Sequence, residues 1–259
     1  MKFFIEGNIG SGKSTLVKYL KNLKLFENDN IKTVLEPVNE WKDFTDNKGK
    51  NVLEYFYTDP KRWGYLFQMN AFITRSKLIE EVSSNCILLM ERSVYSDRNV
   101  FAKNCYEKGL INDIEWKTYL NWFEWLSKKI SVNGDAYIYL RTSPEKSYQR
   151  IQKRGRDEEK EISLDYIKEI HQKHEEWLKN AGPNVLILDG DLENSEQRLQ
   201  DFAQRILTFI KSFGKISCDF CDSNSRKSSV KRLKTYYMPW EKSTHSLCGD
   251  CLVLRNKSI

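Results

Sequence analysis

Gly7-Asn8-Ile9-Gly10-Ser11-Gly12-Lys13-Ser14 fits the spacing G-x-x-x-x-G-K-[ST]. Glycines in such a loop let backbone N–H groups turn inward around phosphate oxygens. Lys13 adds a point charge toward the β- and γ-phosphates, and the Ser14 hydroxyl can ligate Mg²⁺. The run follows a short apolar segment and opens a helical pattern, the context that a phosphate loop needs. It predicts a nucleotide site built by Gly7, Asn8, Ile9, Gly10, Ser11, Gly12, Lys13, Ser14 and Thr15. The loop alone leaves the acceptor open, because GTPases, ATPase motors, nucleotide kinases and nucleoside kinases all use it.

A second set of chemical residues stands at the other end of the chain. Cys218-Asp219-Phe220-Cys221 and Cys248-Gly249-Asp250-Cys251 form two C-x₂-C turns with 26 residues between them. In an intracellular chain such pairs are metal ligands more often than disulfides, and four thiolates meet the tetrahedral demand of structural Zn²⁺. Cys218, Cys221, Cys248 and Cys251 are therefore the expected zinc ligands, with His245 as an alternative to one thiolate. A tail with free thiols stays open as the other reading. The gap exceeds the usual ~15–20 residues, so a hairpin or loop must fill it, and Leu233–Trp240 looks strand-like. The basic residues of 226–234 leave contact with nucleic acid open.

The elements that must position these groups read as alternating strands and helices. Expected strands cover 3–7, 31–37, 85–93, 135–141 and 184–190; expected helices cover 14–23, 60–83, 114–130, 144–153, 163–180 and 195–213. Short apolar strands between long helical segments imply βαβ units: an α/β fold, with a parallel five-stranded sheet and helices on both faces. The composition supports a sizeable core, since 40% of the 259 residues are apolar and 13% aromatic. The net charge of +6 is uneven: residues 215–259 hold nine Lys/Arg against four acids, and four of the six cysteines. We therefore expect two regions, a nearly neutral body over 1–214 and a small basic Cys-rich appendage over 215–259. No apolar run approaches the ~20 residues of a membrane span, and the chain opens directly on the strand-like MKFFIEG. A soluble, cytoplasmic protein without membrane contact is expected.

Glu36 ends the second expected strand, where ligands bind in open α/β sheets, and a carboxylate there could take the proton of an attacking hydroxyl. From the residue alone a surface glutamate fits equally well. Other stretches carry a resemblance that bears on this choice. Glu36-Pro37-Val38 with Trp41, Tyr57-Thr58-Asp59-Pro60-Lys61-Arg62-Trp63, Phe67-Gln68, Glu91-Arg92-Ser93-Val94-Tyr95-Ser96-Asp97-Arg98 and Arg154-Gly155-Arg156-Asp157-Glu158-Glu159 resemble, in order and spacing, the deoxynucleoside kinase family. The resemblance covers about residues 1–213 and not the tail. It implies a P-loop kinase fold and ATP-dependent, Mg²⁺-assisted phosphorylation of a deoxynucleoside 5′-hydroxyl in nucleotide salvage. Glu36 would be the general base and Arg92 would neutralise the transferring phosphoryl group. Lys13 would hold the phosphates, and Glu91 with Ser14 the Mg²⁺. Arg150, Arg154 and Arg156 would form a lid over the ATP phosphates.

The same resemblance assigns the acceptor site. Gln68 would pair with the base edge, and Ala71, Arg75 and Asp97 would select the base. Tyr57 and Glu159 would bind the sugar 3′-hydroxyl, and Trp41 would wall the base. An Arg and an Asp at 75 and 97 imply deoxycytidine, deoxyadenosine and deoxyguanosine over thymidine, since thymine would present a carbonyl to the carboxylate. The run Asp189-Gly190-Asp191-Leu192-Glu193-Asn194 departs from the family's acidic-aromatic pattern and leaves GTP or UTP open as donors. The aromatic stripe Trp116, Tyr119, Trp122, Phe123 and Leu126 is expected to pack, and with related kinases in view a homodimer is expected. The alternatives are a nucleoside monophosphate kinase of the same fold and a nucleotide-binding regulator acting through the basic tail.

Overall fold

The computed structural model describes residues 1–23, 26, 29–82, 85–180, 184–193 and 195–214, together with the strands 234–238 and 243–247. The chain divides into two compact units, Met1–Ile206 and Leu207–Ile259. The first is built on five strands: β1 (Lys2–Glu6), β2 (Ile31–Val34), β3 (Ile87–Glu91), β4 (Ala136–Arg141) and β5 (Val185–Asp189). They pair in the order β2-β3-β1-β4-β5, every pair parallel. The chain order reverses at β1, which opens a crevice beyond the carboxyl ends of the central strands, where α/β sheets bind ligands.

Nine helical elements of the described residues surround or follow the sheet: α1 (Lys13–Lys21), α2 (Val38–Asp43), α3 (Val52–Thr58), α4 (Pro60–Glu81), α5, α6 (Asp113–Ile130), α7 (Pro144–Arg154), α8 (Leu164–Lys179) and α9 (Glu196–Gly214). We number as α5 three consecutive segments, Val94–Ser96, the π-helical Asp97–Ala102 and Lys103–Glu107. A 3₁₀ turn, Asp157–Glu159, follows α7. No described helix is long and apolar enough to cross a membrane.

The sheet is apolar on both faces because helices cover both. On one face Phe4, Leu88 and Met90 meet Phe72 of α4 and Tyr119 and Phe123 of α6, all buried. Tyr137 and Tyr139 of β4 carry α8, with ring contacts to Trp177 at 5.2 Å and His174 at 6.1 Å. On α1 the buried residues Leu16, Val17 and Leu20 recur at helical spacing, and α1 packs against β2 and β3. Of the aromatic stripe on α6, Trp116, Tyr119, Phe123 and Leu126 pack inside, whereas Trp122 is half exposed beside Trp125.

All five expected strands are present: the first is shifted by one residue and the other four are shorter at their ends. The second is the clearest case: it stops at Val34 rather than 37, because Pro37 has no N–H for a ladder and instead stands at the N-cap of α2. Three helical elements, α2, α3 and α5, were not expected. In the second unit β6 (Lys234–Met238) and β7 (Ser243–Leu247) form an antiparallel pair with Tyr236 opposite His245. The expected strand-like run 233–240 contains β6. Cys218, Cys221, Cys248 and Cys251 lie outside the described residues.

Candidate active site

The phosphate loop leaves the carboxyl end of β1 and opens α1. Gly10 adopts φ +75°, and a Cβ there would stand 2.3 Å from the Ser147 carbonyl oxygen; at Gly7 it would stand 2.6 Å from that of Leu140. Only glycine lets the loop curl this closely, with its backbone turned toward the crevice. Asn8 and Ser11 build the loop from behind: the Asn8 amide donates to the Ile167 carbonyl at 2.8 Å, and Ser11 is buried. The Lys13 ammonium donates to the Asn8 carbonyl at 2.7 Å. Burial, then the nearby Arg92 charge, lowers its pKa to about 7 despite Glu91, Glu36 and Glu6. An arriving phosphate would restore the charge.

One cleft, with a cavity of about 300 Å³, is lined by Ile9, Gly10, Gly12, Lys13, Ser14 and Thr15 of the loop. It is also lined by Glu91 and by every acceptor-side residue expected from the sequence: Glu36, Trp41, Tyr57, Gln68, Ala71, Arg75, Arg92, Asp97 and Glu159. Gln68, Ala71 and Arg75 share one buried face of α4 because they stand three and four residues apart. That helix is started by Asp59, whose carboxylate accepts from the Arg62 N–H at 3.1 Å, with Pro60 at its first position.

Arg75 is 1% exposed and holds two carboxylates at once. Its Nε and Nη2 donate to Asp97 at 2.8 and 3.1 Å, and Nη2 also donates to Glu36 Oε1 at 3.0 Å. Arg92 Nε meets the same Glu36 oxygen at 3.1 Å. Burial pushes the Glu36 carboxyl up, but Arg92, Arg75 and Lys13 outweigh it and hold the pKa at about 2. Asp97 moves the other way: burial dominates and raises it, with Arg75 pulling back. Arg92 also donates to the Gly7 carbonyl at 2.8 Å, and its guanidinium lies 4.7 Å from the Phe101 ring. Its backbone is left-handed, φ +61°, which costs about 1–2 kcal/mol in a residue with a Cβ. That conformation aims the side chain back at Glu36.

Ser14 donates to Glu91 Oε1 at 2.7 Å. One hydroxyl beside one carboxylate is the sparse oxygen set that Mg²⁺ uses when substrate phosphates and water complete its shell. Ser14 and Glu91 thus fit a Mg²⁺ ion. Among the described residues no group of three or more His, Cys, Asp or Glu side chains could form a metal cage.

The three arginines expected in the lid are all engaged. Arg150 donates to the carbonyls of Ser11 at 3.3 Å, Gly190 at 2.8 Å and Leu192 at 2.9 Å, tying the phosphate loop to the 190–192 turn. Arg154 grips Glu159 through contacts of 2.6 to 3.1 Å, and Arg156 reaches the same carboxylate at 3.2 Å. Glu159 thus joins Arg154 and Arg156 to the cleft that Tyr57 also lines. Burial, then the charges of Glu159 and Glu36, pushes the Tyr57 phenol well above its ordinary range, so it stays a hydrogen-bond donor. Elsewhere in the cleft wall Trp41 donates to Thr74 at 2.9 Å and crosses Phe67 edge-on at 5.5 Å.

The cleft also contains residues that the sequence reading missed. Phe101 and Tyr166 line it, and Lys42 of α2 pairs with Glu158 of the 3₁₀ turn at 2.6 Å across it. Phe101 sits on the π-helical part of α5, where the apolar residues do not follow a 3.6-residue period. Glu158 was legible only as part of the Arg-Gly-Arg-Asp-Glu-Glu run.

A model of the deoxynucleoside kinase family matches residues 3–211. The probable deoxycytidine kinase of Fowlpox virus (strain NVSL) is 36% identical over 218 residues, 81% of this chain and 88% of its own length. Deoxycytidine kinase 2 of Gallus gallus is 35% identical over 244 residues, 82% and 91% of the two chains. Mitochondrial thymidine kinase 2 of Homo sapiens is 36% identical over 213 residues, 79% and 77% of the two chains. The match runs through the phosphate loop, the Glu36 clamp and the Glu159 turn alike, and the chain belongs to the deoxynucleoside kinase family.

Proposed function

We propose that this deoxynucleoside kinase phosphorylates the 5′-hydroxyl of deoxycytidine, deoxyadenosine and deoxyguanosine in preference to thymidine, with ATP as donor, in nucleotide salvage. The observation that carries the base preference is the Arg75–Asp97 pair at 2.8 Å in the cleft that Gln68 also lines. The relatives' names do not decide it, since deoxycytidine and thymidine kinases match equally well. Asp97, its ionised form supported by Arg75, accepts from an exocyclic amine. Thymine brings a carbonyl to the same place and leaves buried polar groups unpaired. In an ADP-release assay, kcat/KM for deoxycytidine should exceed that for thymidine by about a hundredfold. A ratio near one removes the assignment.

The chemistry follows from the clamp. Glu36 orients the sugar hydroxyl by accepting its hydrogen bond. It takes the proton once bonding to phosphorus has made that hydroxyl strongly acidic, so a carboxylate of low pKa suffices. Arg92 neutralises charge on the transferring group, and Lys13 and the loop N–H groups hold the β- and γ-phosphates. Mg²⁺, when bound by Ser14 and through Glu91, would neutralise phosphate charge. Displacing Arg154 and Arg156 from Glu159 would free guanidinium forks for the donor phosphates and the carboxylate for the 3′-hydroxyl. A closed lid also keeps water from the γ-phosphate.

Two further parts of the reading concern assembly. The apolar groove between α4 and α6, with Leu66, Ile73, Trp122 and Trp125 each more than a third exposed, supports a homodimer through this face. Sedimentation of the Ile73→Glu/Trp122→Glu protein should read a monomer where the unmodified protein reads a dimer. The cysteine spacing supports a zinc ribbon in the tail: metal analysis should find about one zinc per chain, and a chain ending at Gly214 should keep its activity. Zinc well below stoichiometric would sink the ribbon.

A further inference from the structure

Glu6 ends the central strand, is 0% exposed and lies outside the cleft lining. Its Oε1 accepts twice from Ser93, from the backbone N–H at 2.9 Å and from the hydroxyl at 2.7 Å. Oε2 has no hydrogen-bond partner. A buried carboxylate with one oxygen unpaired is costly, and a fold that keeps one needs a reason.

The reason lies one residue before Ser93. Arg92 has the left-handed φ of +61°, and the chain on both sides of its carbonyl is fastened to β1. Its own N–H donates to the Ile5 carbonyl at 2.9 Å, and the next N–H goes to Glu6. The Ser93 hydroxyl, committed as donor to Glu6, accepts from the N–H groups of Tyr95 and Ser96 at 3.2 and 3.3 Å. Glu6 thereby sets the start of α5 and the turn that aims Arg92. If residue 92 relaxed to an ordinary φ, its guanidinium would swing away from Glu36 Oε1 and the Gly7 carbonyl.

We propose that Glu6 is a positioning residue for phosphoryl transfer: it holds Ser93, and through Ser93 the strained backbone that presents Arg92 to Glu36. This rests on the proposed function, in which Arg92 faces the transferring phosphoryl group. Burial raises the Glu6 pKa against the pull of Ser93, Arg92 and Arg75. A proton on Oε2 would leave Oε1 as acceptor, which a glutamine reproduces. The geometry therefore needs the acceptor oxygen and not the charge.

The test is steady-state kinetics of the full chain with deoxycytidine and ATP. Glu6→Ala should lower kcat about thirty- to a hundredfold, the size of a misplaced catalytic group, with the nucleoside KM within about threefold. Glu6→Gln should restore kcat to within about fivefold of wild type, because its carbonyl still accepts from Ser93. Should the alanine protein not fold, Ser93→Ala carries the test, with kcat down about tenfold at unchanged KM. The inference is overturned if Glu6→Ala or Ser93→Ala folds with kcat intact, if kcat and KM collapse together, or if glutamine fails as alanine does. A wild-type chain that phosphorylates none of the four deoxynucleosides overturns both this and the proposed function; active wild type with unaltered variants overturns this alone.

Discussion

Glu36→Gln is expected to lower kcat about a thousandfold, within the range measured for losing a general base, while nucleoside affinity stays within about tenfold. The amide keeps the shape and one acceptor oxygen, so Arg75 and Arg92 retain a partner at Oε1. It cannot take the proton from the attacking hydroxyl. Rapid-quench measurement of the first turnover checks this directly; a rate within a few-fold of wild type would remove Glu36 from the role. A pH signature accompanies it. Glu36 is held at about 2, below its ordinary 4.5, so its clamp stabilises the fold fully above 4.5 and less as pH falls toward 2. The stability difference between wild type and Glu36→Gln should shrink over that same acid window.

The second large effect is a change of base preference. Arg75→Met with Asp97→Ala should raise the thymidine-to-deoxycytidine ratio of kcat/KM by about a hundredfold or more. Both must change together. Arg75→Met alone strands the Asp97 carboxylate, at about 3–5 kcal/mol, since Asp97 is 1% exposed; Asp97→Ala alone leaves Arg75 in the cleft, still paired with Glu36. The structure adds a condition that the sequence reading lacked: Arg75 also holds Glu36 at 3.0 Å. The double variant should therefore lose turnover on every nucleoside even as its preference for deoxycytidine disappears. Kinetics with all four deoxynucleosides separate the two effects; an unchanged ratio would show that Arg75 and Asp97 do not read the base.

The sequence made the site legible where chemistry dictates residue type. The phosphate loop was visible because glycine placement is a local property, and the strand end made Glu36 a candidate; its role, and Gln68, Ala71 and Arg75, came from the family resemblance, whose motifs keep residue type at fixed spacing. The short helices were not. Six residues in α2 and seven in α3 hold fewer than two turns of apolar period, and their starting signals are an Asn51–Glu54 capping box and a proline. The π-helical segment breaks the period altogether, and with it went Phe101. Partnerships between distant residues were out of reach for another reason. That Arg75 would serve Glu36 as well as Asp97, or Lys42 meet Glu158, depends on how α2, α4 and the 3₁₀ turn dock, which no local pattern encodes.

The shared guanidinium of Arg75 bears on how such an enzyme changes over generations. On the proposed reading, a lineage drifting toward new bases by replacing residue 75 would loosen the hold on Glu36 in the same step, so selection for breadth would oppose selection for speed. Ala71 touches neither carboxylate in the hydrogen-bond network, yet it lines the same cleft. Exchanges at 71 adjust the room for the base without that conflict. Position 71 would thus be the accessible first step, with 75 following once Arg92, which already meets Glu36 at 3.1 Å, holds it alone.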